Sequence, residues 1–231
     1  MLPMIFYFLG IVLLLVSVIV QFRFRAKAKH FAEHGLMNGL SGAEIARKML
    51  NDHGIYDVQI THTPGQLNDH YNPANRTVNL SDEVFHGRSV LAAAVAAHEC
   101  GHAVQHAKAY SWLEFRSSMV GPVSFASKWV MWVILAGFFL AGQFGTTLLL
   151  IGTVLFALTT LFAFITLPVE FDASNRAMAW LTSKGMLRTD EAGKARSALK
   201  WAASTYVIAA LSSLATLLYY ITLFMGRSGD E

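Results

Sequence analysis

Between Trp129 and Leu167 the chain carries 39 consecutive residues without an aspartate, glutamate, lysine or arginine. One helix needs only about 20 apolar residues to cross a bilayer. The run is therefore long enough for two crossings. Gly142-Gln143-Phe144-Gly145 interrupts it, so it reads as two helices joined by a tiny loop. The first of them starts a turn or two before Lys128, whose ammonium can snorkel to the interface.

Two further stretches behave the same way. Residues 3–22 form twenty uncharged residues and are followed at once by Arg23, Arg25, Lys27 and Lys29. A basic flank on the C-terminal side, with no small-residue cleavage site, reads as a signal anchor with its N-terminus outside. A last crossing is expected from about Ala203 to Met225. Composition agrees: charged residues are 14% of the chain, against roughly 25% in soluble domains. The expected organisation is an anchor (1–22), a folded domain (23–117), a transmembrane hairpin (118–167), a polar segment (168–202) and a C-terminal helix with its tail (203–231).

Charge then orients the chain. Residues 23–128 hold 11 lysines and arginines and residues 168–202 hold 6, which leaves only Arg227 of the 18 on the other side. Basic residues concentrate on the cytosolic side of membrane proteins, so the expectation is an integral membrane protein, in the cell membrane, with its folded part in the cytosol. The basic residues read as membrane flanks; no nucleic-acid motif accompanies them. The single cysteine, Cys100, excludes an internal disulfide.

Within the folded part, Ser41-Gly42-Ala43-Glu44 is a capping-box pattern that opens a helix ending at Gly54. Tyr56–Thr61 and Thr77–Leu80 read as short strands, with loops at Pro64-Gly65, Asn72-Pro73 and Asn75. Ser81-Asp82-Glu83 reads as a short helical turn. Ser89 is a plausible N-cap for the next helix. A strand just before that helix is expected at a sheet edge, where it could pair with an extended peptide.

The next helix carries the chemistry. Ser89–Ala107 is alanine-rich, has no proline and only Gly101 as a glycine, and contains His98-Glu99-Cys100-Gly101-His102. Residues four apart on a helix share a face, about 6 Å from each other. His98 and His102 can therefore bind one small cation, with Glu99 beside them as general base. Two imidazoles and a carboxylate on so apolar a helix would be costly to bury without such a partner.

A catalytic zinc site wants three protein ligands and an open position. The position six residues past His102 is Lys108, which rules out a third histidine there. His106 lies about 12 Å of helix rise from His98. A carboxylate arriving from elsewhere fits better, and the hairpin returns the chain at Leu167-Pro168 with Glu170 as its first acid. His70 and Tyr71 are loop residues that could contact substrate or stabilise an oxyanion.

The run VAAHECGHAVQHA, with NDHYNP and TVNLS upstream and LPVEFDASNRA downstream, resembles the YugP-like family of bacterial membrane zinc metallopeptidases over most of the chain. More distantly it is similar to the HtpX and CAAX-prenyl-protease gluzincins, whose third ligand is the glutamate of an E-F-x-A-D pattern. The resemblance implies Glu170 as that ligand, although Ser174 stands where those relatives carry an aspartate that supports a ligand histidine, a part that Asp172 or Asn175 could take here. It also implies proteolysis with one zinc ion, acting on a polypeptide substrate at a lipid bilayer. The overall expectation is a mainly α membrane protein: four transmembrane helices and a small α+β zincin-like (gluzincin) domain carrying the HExxH helix. The rival expectation is a non-catalytic, metal-binding membrane scaffold or adaptor. An intact Glu99 argues against it, because a structural site needs ligands only.

Overall fold

A computed structural model describes residues 2–65 and 68–229. Among the described residues the architecture is mainly helical: α1 (Leu2–Ala32), α2 (Gly42–Asp52), α3 (Asp82–Phe85), α4 (Val90–Ala107), α5 (Ser111–Phe139), α6 (Gly142–Ser183) and α7 (Thr189–Gly229). Three short strands complete it: β1 (Gln59–Thr63), β2 (His70–Asn72) and β3 (Thr77–Ser81). Four of the helices, α1, α5, α6 and α7, are long and apolar enough to cross a membrane.

The chain divides into two compact units. The first comprises Met1–Ile19, Phe115–Leu167 and Thr205–Glu231; the second, Val20–Glu114 and Pro168–Ser204. Each long helix contributes to both. In the first unit, α5 and α6 approach closely where glycine removes the side chain. A Cβ on Gly137 would meet the Leu149 amide nitrogen at 2.7 Å, and one on Gly152 would meet Ile134 at 2.5 Å. Small residues at contacts of this kind let apolar helices pack backbone to backbone. The turn between them is made by Gly142 at φ +68, a conformation that costs glycine little. From α7, Arg227 donates to the carbonyls of Gly137 and Leu140, otherwise orphaned at the C-terminus of α5.

The second unit is built on alanine. The α4 residues Ala92, Ala93, Ala94, Ala96 and Ala97 are buried, packed with Ile45, Met49 and Leu50 of α2 and Val78 and Leu80 of β3. α2 starts with the expected capping box: the Ser41 hydroxyl accepts from the Glu44 amide, and the Glu44 carboxylate accepts from the Ser41 amide. Ser89 caps α4 by accepting from the Ala92 amide at 3.1 Å. These two starts were legible because a cap is a local interaction.

Several local expectations change. β1 begins at Gln59, because Tyr56 is exposed and Asp57 is engaged by Arg76. Residues 70–72 form a strand where a loop was expected. The sheet order is β1-β3-β2, with β1 parallel and β2 antiparallel to β3. The strand just before the histidine helix is thus central, and β2 is the edge strand nearest to it in sequence. β2 is only three residues long, too short for alternation to betray it. It is held by Asp69, which accepts from the Ser81 amide at 2.7 Å and from the Ser81 hydroxyl at 3.0 Å. Finally, α6 runs through Pro168 without interruption to Ser183. The proline removes one helical hydrogen bond, not the helix.

Candidate metal centre

Helix α4 presents two faces to chemistry. His98, His102 and Gln105 are spaced i, i+4, i+7 and lie on one of them; Glu99, Ala103 and His106 repeat that spacing on the next. The first face meets α6. There a Cβ on Gly101 would come within 2.6 Å of the Ala173 carbonyl oxygen, so the two helices touch backbone to backbone. This closeness lets short side chains span the gap. His98 Nε2 lies 3.3 Å from Glu170 Oε2, and His102 Nε2 lies 3.7 Å from Glu170 Oε1. One ligand atom from each of the three residues falls within 4.8 Å of the others. Glu170 is 4% exposed and His102 7%.

The opposite nitrogen of each imidazole is also engaged. His98 Nδ1 meets the Ser174 hydroxyl at 3.1 Å, one turn after Glu170 on the same face of α6. His102 Nδ1 meets Gln105 Oε1 at 2.9 Å. Metal-ligating histidines are typically held in this way through their second nitrogen. Gln105 Nε2 in turn donates to the Val169 carbonyl and to Asp172 Oδ2, both at 2.8 Å. Asp172 is paired with Arg176, whose guanidinium lies over the Tyr110 ring at 5.7 Å.

On the second face, Glu99 is 8% exposed and accepts from the Tyr71 backbone amide at 3.0 Å. Tyr71 is opposite Val78 in the antiparallel pair, and its amide points away from β3, at the sheet edge. Burial pushes the Glu99 carboxyl up to about 7; His98 opposes this, Glu170 and Asp69 reinforce it, and the Tyr71 amide pulls it back. The Tyr71 hydroxyl is hydrogen-bonded to His106 Nδ1 at 2.7 Å. Both residues line a cavity of about 280 Å³, together with the apolar Ile55, Val58 and Ala103 and the Asp57–Arg76 pair.

The donor set suits a divalent cation. Two buried carboxylates, Glu99 and Glu170, stand beside two imidazoles, and a cation compensates a concentration of negative charge that burial would otherwise penalise. Two nitrogens and one carboxylate as ligands match catalytic zinc, which keeps its fourth position for water.

The structure therefore brings together His98, His102, Glu170 and Glu99. Of the expected supporting residues, Asp172 acts at one remove through Gln105, while Asn175 is exposed. Tyr71 reaches the site through its backbone. His70 is exposed, its Nδ1 turned to the Asn68 carbonyl at 2.8 Å. Gln105 was missed in the sequence, although its i+3 spacing from His102 was available as a signal. Ser174, read there only as a departure from a pattern, proves to meet His98.

Two imidazoles on one helix, a carboxylate from another and a second carboxylate alongside form a donor set of the kind that metal-dependent hydrolases use. Comparison with known proteins agrees on the class. Residues 6–225 match the family described as "Putative neutral zinc metallopeptidase", and the chain belongs to that family. It is 40% identical over 228 residues, 99% of its own length and the whole of the relative, to the protein described as "Putative membrane protease YugP" of Bacillus subtilis (strain 168). No solved structure matches it.

Proposed function

We propose that the chain is a membrane-bound zinc endopeptidase of the gluzincin type, binding one ion through His98, His102 and Glu170. The observation that carries this reading is the convergence of those three side chains with Glu99 adjoining them. A zinc ion held there supplies a Lewis acid and an activated water. Glu99 would be the general base, taking a proton from the attacking water and returning it to the leaving amide nitrogen. The Tyr71 amide holds Glu99 Oε2, which orients the carboxylate.

Substrates are segments of cytosolic or membrane proteins. The parity of the crossings supports this, because two spans between His102 and Glu170 return the chain to the side it left. The excess of basic residues on that side supports a cytosolic site. The test uses the full chain, purified in detergent. It should contain one zinc per chain and cleave an unfolded test protein, and a chelator should stop cleavage. Glu170→Ala should lower zinc content sharply, since each ligand is a direct bond to the ion. Full zinc occupancy in that variant would remove Glu170 from the site.

A further inference from the structure

Gln105 is fully buried at 0% exposure, and its neighbours dictate how its amide must face. The Val169 carbonyl, 2.8 Å from Nε2, can only accept. Asp172, at the same distance, is paired with Arg176, and as a carboxylate it also only accepts. Two acceptors on one side require the NH2 group there. Oε1 is then the atom that faces His102 Nδ1 at 2.9 Å. An amide oxygen cannot donate, so the proton of neutral His102 sits on Nδ1. The lone pair is left on Nε2, the nitrogen that faces Glu170. His98 is under no such constraint, because the Ser174 hydroxyl serves either tautomer.

We infer that Gln105 is a positioning residue that selects the metal-binding tautomer of His102, and that its own orientation is set by the Val169 carbonyl. The inference rests on the reading of His98, His102 and Glu170 as the zinc site. Val169 immediately precedes Glu170, so one short segment of α6 delivers one ligand and fixes the protonation of another. Asp172 holds the amide from the second side, and Arg176 holds Asp172. A purely structural Gln105 would work only through its NH2 group, as a clamp between α4 and α6. A positioning Gln105 works through its oxygen, and the two roles can be separated.

Three forms of the full chain in detergent make the separation: the parent, Gln105→Leu, and Gln105→Glu combined with Asp172→Asn. In the double variant a carboxylate still accepts from His102 Nδ1, and the new side-chain amide introduced by Asp172→Asn donates back to it, while the bond to Val169 is lost. Zinc affinity is read by competition with a chromophoric chelator, and folding by the thermal transition. Gln105→Leu should bind zinc about 10- to 100-fold more weakly, and the double variant should keep the parent's affinity. Parental affinity in Gln105→Leu, or an equal loss in a folded double variant, would overturn the assignment. If Gln105→Leu does not fold, the double variant decides alone. In metal-free parent with 15N-labelled histidine at alkaline pH, His102 should appear protonated at Nδ1; protonation at Nε2 would overturn the assignment. That last measurement needs no bound metal. A parent that shows the Nδ1 proton but takes up no zinc would therefore refute the proposed function and leave the role of Gln105 standing.

Discussion

At the scale of the residue, the proposed site divides the labour between His98, His102 and Glu170, which would hold the ion, and Glu99, which would act as the base. Glu99→Gln keeps the size of the side chain and still accepts from the Tyr71 amide, but it cannot take up a proton. Zinc content should be unchanged, while hydrolysis falls by about 10²- to 10⁴-fold, the usual worth of a positioned general base. Parent-like cleavage in that variant would remove the general-base role. His98, Glu99 and His102 were legible in the sequence because helix periodicity alone places them. Glu170 needed the crossing count, since residues 103–169 lie between it and His102. The residues behind them were not legible: Gln105 and Ser174 acquire their roles only when α4 and α6 are brought face to face.

At the scale of the element, the contact between α4 and α6 sets the geometry of the centre. Gly101→Ala should pull in two directions, because alanine is favoured over glycine inside a helix by about 1 kcal/mol. A Cβ there, however, would lie 2.6 Å from the Ala173 carbonyl oxygen, so α6 must shift and Glu170 with it. The variant should lose zinc occupancy and melt at a lower temperature. Gly193, exposed on α7 with open space around it, is the control: Gly193→Ala should gain up to about 1 kcal/mol in a denaturant titration and keep its zinc. Unchanged zinc in both variants would show that the close approach is not what places Glu170. The capped helices α2 and α4 were readable from sequence, since caps are local. The three-stranded sheet was less so, because β2 is ordered by Asp69 and by the Glu99 carboxylate rather than by its own residues.

At the scale of the whole molecule, the proposed chemistry and the proposed topology are tied. Glu170 and the histidines can share an ion only if the chain crosses the membrane an even number of times between them. The apolar runs made the four spans legible from composition; their orientation rests on charge. A cysteine introduced at Asn75 should resist a membrane-impermeant thiol reagent in intact cells, and one at Ser228 should react. The native Cys100 contributes no background, since it is buried, donates to the Ala46 carbonyl and has its thiol pushed up by burial. Labelling at Asn75 from outside would reverse the orientation and make the substrates extracytoplasmic.

The contact at Gly101 also has a genetic reading. Glycine has no smaller residue to give way to, so every missense change at this codon adds a Cβ. The atoms that a Cβ would strike are the backbone oxygen, carbon and Cα of Ala173, which every amino acid shares. Trimming the partner to Ala173→Gly therefore restores nothing. A selection for second-site suppressors of Gly101→Ala should return changes that move α6 as a body, and none at position 173.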